Sequence, residues 1–165
     1  MLAPPHMSLL DDARTTLAQI SNAALATVCP DGRPWNSPVF IAFDGYAFYW
    51  ASLLDSVHSR NIAVNPDVFL VVFDSIRDDA TGHGVYVRAQ ARELRDASSV
   101  TAALQALARR RQEATRPAAD FMAPHRHRVY EAVPEAFWTN VVRSIEGHTC
   151  DERVPVDLLS LGWTL

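Results

Sequence analysis

The chain has 165 residues, of which 48% are hydrophobic, and a formal net charge of −4. That length suits one domain spanning residues 1–165, and the apolar fraction supports a packed core and excludes a wholly disordered chain. The charge leaves no basic surplus to hold a nucleic-acid backbone, and two cysteines, Cys29 and Cys150, are too few for a disulfide framework or a four-thiolate metal site.

The opening MLAPPHMSLL has neither a charged leader nor a long apolar run, and no stretch reaches the roughly 18 apolar residues of a membrane span. A cytoplasmic protein with reduced thiols and no membrane partner is expected. Ser8 begins a helix, with Asp11 placed as the acid of a capping box and Leu10, Ala13, Leu17 and Ile20 on one stripe ending near Asn22.

The period then changes. Ala24–Cys29, Trp35–Phe43 and Tyr46–Ser52 read as three strands joined by turns at Asp31-Gly32 and Asp44-Gly45, an antiparallel meander. These strands are apolar on both faces: Val39, Ile41 and Phe43 point one way, Phe40 and Ala42 the other. One face fills a barrel interior; a helix, a cofactor or a second subunit must cover the other.

Asp55–Asn65 reads as a short helix stopped by Pro66, followed by a strand over Asp67–Asp74 that is also apolar on both sides. SIRDDATGHG is a polar loop. Gly84–Leu94 alternates cleanly, Val85, Val87, Ala89 and Ala91 inward and Tyr86, Arg88, Gln90 and Arg92 outward. Asp96 caps another helix, with Val100, Leu104 and Leu107 inside and the Arg109–Arg111 run as a solvated face. A loop-rich connection follows, then RVYEAVPEAFWTNVV as one or two strands and a DERVPVDLL tail, with no internal repeat.

Several chemistries find no support. His125 and His127 lie two apart in HRHR, but the flanking arginines repel a metal ion. Ser56 and His58 have no nucleophile elbow, Cys29 reads as structural, His83 as a solvated loop residue, and no phosphate-binding glycine loop is present.

The stretch WASLLDSVHSRNIAVNPDV is different. Ser52 ends a strand, and Ser56, His58, Ser59 and Arg60 gather at the start of a helix, whose free amides favour anions. Two readings stay open on these residues: a phosphate-sized anion site, or Ser56 as a plain helix cap and Arg60 as a surface charge.

Through ALATVCPDGRPWNSPVFIAF, YWASLLDSVHSRNIAVNPDV, GVYVRAQARELRD, VYEAVPEAFWTNVV and the DERVPV tail, in that order, the chain resembles the FMN-binding split barrels, the fold group of pyridoxamine 5'-phosphate oxidase. The resemblance implies a mainly β fold with flanking helices, a six-stranded antiparallel split barrel, and a homodimer with two FMN sites at its interface. It implies that Ser37, Pro38, Val39 and Phe40 run along the isoalloxazine ring. Ala51 and Ser52 would lie by the ring and phosphate tail, and Ser56, Val57 and His58 would close on the phosphate. Trp138 would reach the flavin from the other subunit.

The departures are chemical. The family usually has lysine where this chain has His58, and the oxidase has basic residues where this chain has Ser37 and Ala42; Arg60 would have to compensate. The basic C-terminal signature for pyridoxal phosphate is replaced by SLGWTL, so pyridoxamine phosphate oxidation is not expected. The expectation is an FMN-dependent oxidoreductase of a small molecule with no catalytic side chain of its own. Its substrate would stack near Trp35 or Trp138, and Trp50 serves packing. The alternatives are a deazaflavin (F420)-dependent reductase, a flavin- or haem-binding barrel without turnover (His83 or His148 as axial ligand), and a barrel without a cofactor.

Overall fold

A computed structural model of the chain describes residues 8–76, 84–145 and 148–158. Helix α1 covers Leu9–Gln19. The Ser8 hydroxyl caps it by accepting from the Asp11 amide at 3.2 Å, and donates to the Asp11 carboxylate at 2.6 Å. The helix ends before Ile20, whose extended backbone turns the chain into strand β1, Asn22–Val28.

Asp31-Gly32 turns the chain into β2, Pro34–Phe40, with Gly32 at φ 84° where a side chain would be strained. The expected meander breaks at Ile41. Its amide makes the last bond in the β1–β2 register, to the Ser21 carbonyl at 2.8 Å, and the run resumes as β3, Ala42–Phe43, which pairs with β4, Phe48–Leu53. Asp44 holds the second turn by accepting from the amides of Tyr46 and Ala47.

Helix α2 spans Val57–Val64, and Pro66 introduces β5, Asp67–Phe73. Strand β6 is Gly84–Glu93, helix α3 Ala97–Arg111 and β7 His127–Ile145; β8, His148–Val156, is the tail. Among the described residues the sheet runs β2-β1-β5-β6-β7-β4-β3, with β8 paired to β7, and every pairing is antiparallel. Consecutive β2 and β3 thus stand at opposite ends of one path, so the bend at Ile41 brings the two ends of the sheet together. Taking β2 and β3 as one bent strand and β8 as a ribbon on β7 leaves the six strands of the expected split barrel. RVYEAVPEAFWTNVV is one strand, and a register shift opposite Arg88 and Ala89 leaves Glu135 unpaired, next to Pro134, which cannot donate to the ladder.

The barrel interior is filled by Leu25, Phe48, Trp50, Leu70, Val87 and their neighbours, all fully buried; Ala13 and Leu17 of α1 and Ile62 of α2 join the same cluster. Each such aliphatic side chain contributes about 1.5–3 kcal/mol. A second cluster answers what covers the other apolar face on one side: Val100, Ala103, Leu104 and Leu107 of α3 pack on Ala42, Tyr49 and Val129. Among the described residues, no helix covers the outer face over β1 and β5 in this way. Ala24, Ala26, Phe69 and Val71 are half-buried there and Phe73 is 48% exposed.

Candidate functional site

Helix α2 begins where β4 leaves the barrel, and its first turn carries His58 into contact with three serine hydroxyls from three places. Ser52 Oγ, from β4, lies 2.7 Å from His58 Nε2, and Ser56 Oγ lies 3.1 Å from the same nitrogen. Ser37 Oγ, from β2, lies 3.1 Å from Nδ1. The Ser56 hydroxyl also donates to Ser59 Oγ at 2.8 Å, and Trp35 Nε1 donates to Ser37 Oγ at 3.0 Å.

His58 is only 8% exposed, and burial pushes its pKa below the ordinary histidine value. A neutral imidazole donates through one nitrogen and accepts through the other, which the serine hydroxyls on both sides can match in either tautomer. The α2 N-terminus is the second feature. Ser56 is its N-cap residue but makes no side-chain bond to the helix amides, because its hydroxyl is committed to His58 and Ser59. The amides of Val57, His58 and Ser59 therefore face outward with no acceptor among the described residues. A set of hydroxyl, imidazole and amide donors around one point is the chemistry that takes a phosphate.

The remaining residues singled out above lie as follows. Val57 is half-buried in the same helical turn. Val39 points into the barrel, Pro38 is exposed, and Phe40 lies under the Arg111 guanidinium at 4.3 Å on the α3 side. Ala51 faces away from Ser52, as alternation along a strand requires, and lines a separate cavity of about 210 Å³ with Leu107, Arg111, Arg116 and His127. Arg60 turns from the cluster and donates to the Asp55 carbonyl. Trp138 stacks on Phe69 at 6.2 Å with Arg88 beside it. It stands ten residues along β7 from Arg128, the partner of Ser52, a strand path of roughly 33 Å. Within one chain it does not meet the cluster.

His148 is exposed on β8, and His83 lies outside the described residues. Among the described residues no group of three or more His, Cys, Asp or Glu could hold a metal ion, and no helix is long and apolar enough to cross a membrane. The residue-by-residue reading missed Trp35 as a donor to Ser37; the signal was their i, i+2 spacing, which puts both on one face of a strand. It also missed the brace behind the site, where Asn61 Nδ2 donates to Thr27 Oγ1 at 3.0 Å and fixes α2 to β1.

Comparison with solved structures finds the same architecture in proteins of several kinds. An F420 reductase is 25% identical, with 76% of this chain and 94% of that one covered and a TM-score of 0.58. The haem storage protein HutZ from Vibrio cholerae is 19% identical, covering 78% and 92% with a TM-score of 0.67. A haem-binding protein from Mycobacterium smegmatis is 20% identical, covering 93% of this chain and 60% of that one with a TM-score of 0.65. No curated protein matches the sequence. The family model described as pyridoxamine 5'-phosphate oxidase matches residues 9–140, from the first turn of α1 to the middle of β7 and across the whole hydroxyl–imidazole cluster. The chain therefore belongs to the pyridoxamine 5'-phosphate oxidase family of split barrels.

Proposed function

We propose that the protein is an FMN-dependent oxidoreductase acting on a small molecule, with the flavin phosphate held by Ser37, Ser52, Ser56, His58 and the first amides of α2. The observation that carries this reading is the convergence of three serine hydroxyls on one buried imidazole beside an uncapped helix N-terminus. When bound, FMN supplies the electron and hydride transfer; the chain binds and orients it. Ser52 and Ser56 turn their hydroxyl protons to the phosphate oxygens, and His58 takes up a proton as the dianion arrives. Pro38, next to Ser37 on β2, would lie along the ring, and Trp35, 44% exposed beside it, would offer a stacking face for the substrate.

The same reading makes the protein a homodimer. The uncovered face over β1 and β5 presents alanines, Phe69, Val71 and Phe73, a surface suited to a second copy. Trp138, too far along β7 to serve its own chain, reaches the flavin across that interface. Cys29 and Cys150 are free thiols, which fits a cytoplasmic setting.

Titration of FMN into the purified protein, read by flavin absorbance and fluorescence, tests the reading. Saturable perturbation of the flavin bands is expected, and an unchanged spectrum at about 100 µM protein, where a micromolar site would be nearly full, would sink it. A deazaflavin-dependent reductase is the second reading, favoured by the likeness to an F420 reductase at 25% identity. Parallel titration with F420 separates the two.

A further inference from the structure

A cavity of about 630 Å³ opens between α2 and the β6 end of the barrel, with Ser59 but not His58 in its wall. Its wall is apolar along Leu54, Ile62, Ala63, Pro66 and Ala91, and that size falls within the range of small-molecule sites. Tyr130 and Ser59 also line it, and Arg60, Arg92 and Arg95 stand around it with Glu93.

Tyr130 is the anomaly. It is 1% exposed and stacks on Trp50 at 5.6 Å, yet its hydroxyl has no hydrogen-bond partner. Ser59 is near enough to act on the phenol, and burial outweighs that influence and pushes the Tyr130 pKa up. Ser59 accepts from Ser56, and its own proton is within reach of the Tyr130 phenol oxygen, which still leaves the phenol O–H without an acceptor. Buried polar groups are nearly always satisfied, and a buried phenol donor beside a ligand-sized cavity asks for an acceptor.

The charge around the cavity is also unbalanced. Arg92 pairs with Glu131 at 2.6 Å, Arg128 with Glu93 at 3.1 Å and Arg95 with Glu93 at 3.7 Å. Three guanidiniums thus share two carboxylates, and Arg60 donates to the Asp55 backbone carbonyl rather than to either of them. Arg92 and Arg95 are 72% and 82% exposed, so the excess positive charge lies at the mouth while the phenol lies inside.

We infer that this cavity is a second ligand site, for a small organic anion with an oxygen acceptor at its far end. The acceptor meets the Tyr130 hydroxyl beside Ser59, the body lies on Ile62, Pro66 and Ala91, and the carboxylate or phosphate sits among the arginines. The site shares α2 with the flavin phosphate but none of the hydroxyls that touch His58, so it stands independently of the flavin reading.

Two probes test it, 4-hydroxybenzoate and 4-nitrophenyl phosphate, titrated into the intact protein and followed by amide chemical shifts around α2 and β6. At least one is expected to saturate, with affinity reduced roughly tenfold in Tyr130→Phe, the loss of one hydrogen bond to a buried donor, and in Arg95→Gln, the loss of one charge-assisted contact. Neutral 4-hydroxybenzamide is expected to bind at least tenfold more weakly than 4-hydroxybenzoate. Tyr130→Phe keeps the stack on Trp50 and removes an unpartnered group, so its melting point checks that the fold is intact. His58→Ala is expected to weaken probe binding far less than FMN binding, which separates failure here from failure of the flavin site. If neither probe saturates by about 10 mM, weaker than any site of use, the inference is overturned. It is equally overturned if a probe binds and both substitutions leave its affinity unchanged.

Discussion

Replacing His58 with alanine isolates the phosphate half of the cofactor site. In the native chain the imidazole contacts Ser37, Ser52 and Ser56 at 3.1, 2.7 and 3.1 Å, and so fixes three rotors at once. A hydrogen bond to a charged partner is worth roughly 1.5–3 kcal/mol. Ordering a freed side chain on binding costs about 0.5–1.5 kcal/mol, which adds to the loss when the serines are no longer held. Together these predict FMN binding weakened by about 2–4.5 kcal/mol, or about 30- to 1,600-fold in Kd. Riboflavin has the same ring and no phosphate, so its affinity should change less than about threefold. The assay is paired fluorescence titration of FMN and riboflavin against native and variant protein at one salt concentration. Equal losses for both flavins would refute the phosphate assignment, because the imidazole would then be supporting the ring or the fold. An FMN affinity unchanged by the substitution would refute it as well.

Other outcomes follow from the same geometry. Burial lowers the His58 pKa in the folded chain, so unfolding takes up a proton at low pH. Stability should be full above the unfolded histidine value of about 6.5 and should fall as pH drops toward the folded value; denaturation of His58→Gln should lack that component. Bound phosphate dianion reverses the sign by favouring imidazolium. FMN affinity should therefore rise as pH falls from about 8 to 6.5, while the phosphate is still a dianion, with riboflavin affinity flat over that window. Leu70, fully buried in the barrel, should cost about 2–5 kcal/mol when cut to alanine, read from urea melts. Val71 on the outer face, between Ala24 and Tyr86, should tolerate glutamate in the monomer fold but shift the protein from dimer to monomer in light scattering.

Local signals in the sequence carried most of the fold. The caps at Ser8 and Asp96 act where their side-chain chemistry predicted, and β6 alternates as its residues do. What local pattern could not show was pairing. Nothing in WNSPVFIAF marks Ile41 as the point where the strand changes partners, because the bend is imposed by the sheet closing on itself. The cluster at Ser52, Ser56 and His58 was visible because it is contiguous. Ser37 joins it from 21 residues away; the family resemblance had put this serine by the flavin ring, and only the fold brings its hydroxyl to the imidazole. Tyr130 read as an ordinary strand residue, and its missing partner becomes evident only when burial and geometry are known together.

The likeness to both flavin-related and haem proteins makes cofactor choice a question of side-chain chemistry on a shared barrel. Haem storage or binding with an axial histidine needs an imidazole nitrogen free to meet iron in a dry pocket. His58 is buried, but both of its nitrogens already face serine hydroxyls, and ligating iron would strip one side of those contacts. His148 is exposed on β8 and lacks the enclosing apolar wall. A phosphate makes the opposite demand: it needs several short donors that turn together, with no one of them displaced. Three serines, a histidine able to gain a proton and three unused amides satisfy that demand without rearranging the backbone. The substitution of histidine for the family's lysine then changes how the site is controlled. On the proposed flavin reading, a lysine would hold its charge across the physiological range, whereas His58 would charge only as the anion arrives, and flavin retention should be sensitive to pH between about 6.5 and 8. Substituting lysine back at position 58 should therefore tighten FMN and flatten its pH dependence in the same titration, and a variant that binds FMN with the native pH slope would show that His58 is not the titrating group.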